Sequence, residues 1–191
     1  MKAIGRVGIM ATCAAVGLSS FVCGCRKHEP VETYKRINEL SDGCSVYKSD
    51  TKFFPGQQTL DWVGRNSGAQ VLARAMFTGD GQWPTSYYAA YRAGDLIDAN
   101  GRRNVISDQY DDPMPILYYP SRIGVSGVAQ YVEADNAVHS DPHKGGDFQA
   151  FIRDTRFGAS DTPHMEDEFL LIAPGDDRKY FTDDDIVNWN R

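Results

Sequence analysis

Phe169-Leu170-Leu171-Ile172-Ala173 is an unbroken apolar run stopped by Pro174-Gly175. It is too short for a helix of ordinary length and shows no polar alternation, so it predicts a buried strand. Two helical patterns precede it. Val31, Tyr34, Ile37, Leu40, Cys44 and Tyr47 recur at spacings of three and four, which predicts an amphipathic helix that Phe53-Phe54-Pro55-Gly56 ends in an aromatic turn. A second helix fits Ser67 to Phe77, with Ser67 as N-cap and Gly79 beyond its end. Ile116-Leu117-Tyr118-Tyr119 reads as another strand and Gln130-Tyr131-Val132 as a short one. A long N-terminal helix followed by a small antiparallel sheet is an α+β plan.

The 191 residues are 41% hydrophobic and 12% aromatic, enough for a packed core. Lys and Arg number 20 against 26 Asp and Glu. The net charge of −6, with no basic stretch, is the wrong sign for nucleic acid, so no nucleic-acid partner is expected.

Residues 1–25 carry Lys2 and Arg6 and no acid, and Val7 to Gly24 is apolar or small. This is the plan of a secretory signal. It closes on Val22-Cys23-Gly24-Cys25 and turns polar at Arg26-Lys27-His28-Glu29, which resembles a bacterial lipobox with Cys25 as the lipid-bearing residue. The same run also fits a plain cleaved signal or a single membrane anchor. In each case the rest of the chain works outside the cytoplasmic membrane. The expectation is a signal peptide over 1–24, a tether over 25–30, and a domain over 31–191 in the bacterial cell envelope, facing the periplasm or exterior. Losing residues 1–24 removes two cations and no acid, which moves the net charge from −6 to −8. With Cys25 taken by lipid, Cys44 has no thiol partner in the mature chain, and it reads as a small buried residue.

From Gly79 the sequence becomes loop-rich, and residues around 80–165 read as an insertion. Trp83, Tyr87, Tyr88 and Tyr91 form an aromatic group that either covers core or offers a stacking platform for a glycan or peptide. Asn136 to Gly146 reads as a long polar loop. His139 and His143, four apart beside Asp141 and Asp147, superficially suggest a metal pair, but Pro142 breaks the helical register, and they read as loop residues. Gly124-Val125-Ser126-Gly127 has its Ser one place too late for a nucleophile elbow. No phosphate loop, H-E-x-x-H or dinucleotide fingerprint occurs. Asp111, Asp112 and Asp154 are candidates for a hydrolytic carboxylate pair, with nothing in the sequence to bring them together. The chain therefore reads as non-enzymatic.

Between Ala173 and Ile186 lie Asp176, Asp177, Asp183, Asp184 and Asp185, offset only by Arg178 and Lys179. Such a loop is either solvated or neutralised by a hard dication, and calcium accepts irregular oxygen geometry. It is not an EF-hand: counting from Asp176, Phe181 stands where Gly is required and Val187 where Glu is required.

Several of these pieces, in order, resemble the globular domain of the major pseudopilin of type II secretion systems. Tyr47-Lys48-Ser49-Asp50 followed by Phe53-Phe54-Pro55 is similar to that family's Y-K-x-D-x-G-x-Y-P helix ending. Pro115-Ile116-Leu117-Tyr118-Tyr119 after Asp112 resembles the strand that follows its D-P-W-G-x-P motif. Phe169 to Asp176, then Thr182 to Trp189, resembles its L-G-x-D-G … D-A-D-I-x-N-W calcium loop. The resemblance implies a calcium ion held by Asp176, Asp183, Asp185 and the Ala173 carbonyl, and other pseudopilin-like subunits as partners. The family's prepilin-peptidase site is replaced: after Gly8-Ile9, Cys13 stands where its Glu belongs, and Arg26 to Pro30 interrupts the apolar helix. The chain thus looks like a copy of the domain attached to the membrane through a lipid on Cys25.

Overall fold

A computed structural model of the chain describes residues 30–77, 95–99, 101–158 and 160–189. The signal-like segment, Cys25 and the aromatic group Trp83, Tyr87, Tyr88 and Tyr91 lie outside the described residues. Two helices come first, α1 (Pro30–Thr51) and α2 (Gly68–Met76). The strands β1 (Leu96–Ala99), β2 (Arg102–Ile106) and β3 (Leu117–Pro120) follow, then two short helices, α3 (Ala137–Ser140) and α4 (Phe148–Ile152). The described chain closes with β4 (Phe169–Ala173) and β5 (Ile186–Val187). β1 and β2 form an antiparallel hairpin; β3, β4 and β5 form an antiparallel sheet with β4 in the middle. The class is α+β.

All five residues of β4 are buried, and the two-residue period of a strand divides them between two cores. Phe169, Leu171 and Ala173 join Tyr118 of β3 and Ile186 of β5 on one face. That cluster also holds Ile37, Leu40 and Cys44 from α1 and Leu72, Ala73 and Met76 from α2. Leu170 and Ile172 join Leu117, Tyr119 and Val187 on the other face, with Phe148, Ile152, Tyr180, Phe181 and Trp189. The pairings Tyr118↔Leu171 and Leu117↔Ile172↔Val187 place like-facing residues side by side.

The stretch expected to be a loop-rich insertion is therefore partly structural. Its polar part, Asn136 to Gly146, contains α3 and a 3-10 turn over Asp141–His143 instead of a long loop. Asn136 explains the difference, because its side chain is a buried bracket: Oδ1 accepts from Ala69 N at 3.0 Å and Nδ2 donates to Tyr118 O at 2.7 Å. At Asn136, His139 and Ser140 polarity goes with burial, while Asp141 to Gly145 are exposed, and sequence periodicity does not distinguish the two. Gln130-Tyr131-Val132 is likewise not a strand. Its first residue ends a 3-10 turn over Val128–Gln130, Gln130 Nε2 donates to Gly127 O at 3.0 Å, and Tyr131 enters the second core.

On α1 the buried stripe is Thr33, Arg36, Ile37, Leu40, Gly43 and Cys44, whereas Val31 and Tyr34 are 62% and 50% exposed. The stripe is rotated because polar partners wait at its start. Arg36 pairs with Asp95 and donates to Ser107 O at 2.7 Å, and Thr33 Oγ1 accepts from Gln109 N at 3.0 Å. Ser67 caps α2 as expected, accepting from Gln70 N at 3.3 Å. Gly68 follows because a Cβ there would lie 1.9 Å from Tyr118 O, so only glycine lets the start of α2 rest on β3.

Leu171→Ala is expected to cost about 2–5 kcal/mol by opening a cavity in the middle of the sheet. Val31→Ala, at an exposed position of the same apolar pattern, should stay within about 0.5 kcal/mol. Urea denaturation of both variants checks the assignment of faces.

Candidate functional site

β4 leads directly into the acidic loop, and β5 brings the chain back: Ala173 pairs with Ile186 and Ile172 with Val187. Pro174 to Asp185 is thus a closed loop hung from the end of the central strand. Its closure is tight, because a Cβ on Gly175 would meet Asp184 O at 2.3 Å. Asn188 then continues the pairing with its side chain, Oδ1 accepting from Leu171 N at 2.8 Å and Nδ2 donating to Phe169 O at 3.1 Å.

Inside the loop, carboxylates satisfy backbone donors. Asp184 Oδ2 accepts from Asp177 N at 3.0 Å, Asp177 Oδ1 from Lys179 N at 2.8 Å, and Asp185 Oδ2 from Phe181 N at 2.7 Å. Thr182 Oγ1 bridges Asp184 Oδ1 at 2.7 Å and Asp185 Oδ1 at 3.1 Å. Arg178 and Phe181 both occupy the left-handed region, with φ of 57° and 67°. Side chains with a Cβ seldom adopt that backbone, and here anchors outside the loop hold it.

Arg178 is the main anchor. Its Nη1 donates to Asp108 Oδ2 at 2.7 Å, its Nη2 to Asp112 O at 2.6 Å, and its guanidinium lies 4.4 Å from the Tyr110 ring centroid. Tyr110 in turn donates its hydroxyl to Asp176 Oδ1 at 3.0 Å. Tyr180, fully buried, donates its hydroxyl to Pro115 O at 2.6 Å and its N–H to His143 O at 2.9 Å. The segment from Asp108 to Pro115 therefore docks the loop from one side and His143 to Gly145 from the other.

These contacts set the charges. Burial pushes the Tyr110 phenol up to about 12, and the neighbouring Asp176 adds to the shift. Burial also raises the Asp108 carboxyl, against the pull of Arg178. For Asp184 burial acts upward too. The N–H donors of the loop and the Thr182 hydroxyl outweigh it, so its carboxyl lies below the usual carboxylate range.

The donors of the loop suit calcium in kind, being carboxylate and carbonyl oxygens. The placement of the expected ligands differs from a closed ligand set. Asp176 turns to Tyr110, Asp185 is buried against Phe181 and Thr182, Asp183 is exposed, and Ala173 belongs to the strand pairing. Among the described residues no three His, Cys, Asp or Glu side chains converge as a metal-binding group. Arg178 and Tyr110, which organise the site, went unnoticed in the sequence, where Arg178 read only as a partial charge offset.

The other candidates fall elsewhere. His139 lies on α3, fully buried, with Nε2 3.2 Å from Ser67 Oγ, while His143 is exposed on the next turn. Asp112 supports the Arg178 anchor through its carbonyl, and Asp154 belongs to a separate network with Arg156 and His164. Arg156 reaches both Asp154 oxygens, at 2.6 to 3.0 Å, and holds that carboxyl down at about 2.

Two predictions follow from these networks. Asp185→Ala leaves the buried Phe181 N–H unpaired and should cost about 1–3 kcal/mol. Asp183→Ala, at an exposed position, should cost far less, as compared by thermal melting. The second concerns acid. Because the folded Asp154 pKa lies below its ordinary value of 3.8, its contribution is complete above about pH 4 and is lost as pH falls toward 2. Asp154→Asn should therefore flatten the drop in urea midpoint between pH 5 and pH 3, measured beside the parent chain.

Comparisons with protein-family models, with curated proteins and with solved structures return no match to this chain.

Proposed function

We propose that this chain is a non-enzymatic lipoprotein of the bacterial cell envelope, anchored through a lipid on Cys25. Its domain is pseudopilin-like and acts in or beside a type II secretion or pilus-like assembly. Calcium is the cation proposed for its C-terminal loop, with Asp176, Asp183, Asp185 and the Ala173 carbonyl as the ligands that the motif names. The observation supporting this most is the way β4, the acidic loop and β5 work as one unit. The apolar run is the central strand, Ile186 and Val187 pair back onto it, Asn188 hydrogen-bonds its backbone, and Trp189 is buried in the second core. The Phe169–Ala173 and Ile186–Trp189 parts of the motif thus lie together at the loop's base.

The reading is tested by melting the full chain in detergent, with millimolar calcium and with chelator. At calcium 100-fold above its dissociation constant the gain is about 2.7 kcal/mol. For a domain of this size that is about 5–10 °C in Tm. The Asp176→Asn, Asp183→Asn double variant should lose the gain while melting normally in chelator, since both side chains are exposed. No rise with calcium overturns the cation assignment. Failure of the full chain to associate with any pseudopilin overturns the assembly role.

A further inference from the structure

Away from the acidic loop, the segment after α1 and the turn after β3 form the walls of an open cleft of about 400 Å3. Gln57, Gln58, Thr59, Trp62, Arg122 and Ile123 line it. Its size falls in the range of about 300–1,000 Å3 typical of small-molecule sites. The walls are tied together before any ligand arrives. Gln57 Nε2 donates to Ser121 Oγ at 2.9 Å, joining one wall to the other, and its Oε1 accepts from Phe54 N at 2.9 Å. Trp62 Nε1 donates to Gly56 O at 2.8 Å, which fixes the plane of the indole. Asp61 Oδ2 accepts from Gly56 N at 2.8 Å and braces the same loop. A cleft set in advance loses little entropy on binding.

The lining decides what chemistry fits. The Arg122 guanidinium lies 5.1 Å from the Trp62 ring centroid, and its Nη2 donates to both oxygens of Asp135 at 2.7 Å. Asp135 offsets the charge, so the cleft has no excess positive field for a phosphate or a polyanion. Nε and Nη1 of Arg122 make no hydrogen bond among the described residues and remain as donors. The Gln58 amide and the Thr59 hydroxyl add to these. Beside the half-buried indole, Ile123 is 64% exposed and Leu60, in the same turn as Trp62, is 73% exposed. An aliphatic edge at Ile123 and neutralised donors, with the guanidinium held over the indole, match a molecule with both a C–H face and a rim of hydroxyls. A lipid would leave the donors unpaired, which is costly.

We propose that this cleft binds a neutral saccharide unit, its C–H face against Ile123 and its hydroxyls toward Gln58, Thr59 and the Arg122 guanidinium that Trp62 holds in place. The site is independent of the acidic loop and of calcium.

The full chain in detergent is titrated with maltotriose, cellotriose and chitotriose, and with an uncharged leucine tripeptide, by ligand-observed NMR. At least one trisaccharide should bind with a Kd of roughly 0.1–1 mM. Trp62→Ala and Ile123→Asp should each weaken it by about tenfold or more, and Phe157→Ala, an exposed apolar residue outside the lining, should leave it unchanged. Ile123→Asp alters an exposed side chain, so its Tm should match the parent and exclude misfolding as the cause. Absence of binding to all three trisaccharides overturns the proposal, as does binding that survives both cleft variants. Loss of binding in Phe157→Ala, or binding of the tripeptide alone, overturns it as well.

Discussion

The fold hangs on the burial of β4 on both faces. A strand with apolar side chains pointing in both directions is stable only between two layers, and β4 is covered by α1 and α2 on one side. On the other it is covered by α4, Tyr180, Phe181 and Trp189. Its neighbours β3 and β5 are short because each needs only to satisfy the backbone of a five-residue strand. Everything later in the chain is referred to this strand. Asn188 extends its hydrogen bonding where β5 ends, and the acidic loop starts where it stops.

Two ion pairs, one buried and one partly buried, then place segments that the sheet does not reach. Arg36 with Asp95 joins α1 to the start of the β1–β2 hairpin, and Arg178 with Asp108 joins the acidic loop to the segment before β3. Neither pair is necessarily more stabilising than an apolar contact of the same volume, because desolvation opposes the attraction. What they supply is position: each guanidinium needs several acceptors arranged around it, which fixes where its segment can lie. The rotation of the α1 stripe and the left-handed backbone at Arg178 both follow from that requirement.

The acidic loop shows why charge composition alone says little about a site. Of its five aspartates, Asp177, Asp184 and Asp185 accept backbone N–H groups, so part of the negative charge is engaged in closing the loop. Asp176 is engaged by Tyr110, from a segment 66 residues away. The same five residues read in sequence only as mutual repulsion that some cation or solvent had to relieve.

Much of the plan is local and was therefore legible. Phe169–Ala173 as a strand, Ser67 as a helix cap, α1 ending before Phe53 and the α+β class all depend on contacts within a few residues, and local periodicity and capping chemistry report those. The tertiary structure alone decided which faces are buried and what the polar residues do. Val31 and Tyr34 fit the apolar repeat yet face outward, while Arg36, Asn136 and His139 are buried. The reason is that burying a polar side chain depends on whether a distant partner meets it. Asp95, Tyr118 O and Ser67 lie 59, 18 and 72 residues away, distances over which no sequence period carries information. The Trp62–Arg122 cleft is hidden for the same reason, since its two walls lie far apart in sequence and are joined by Gln57 to Ser121, 64 residues away.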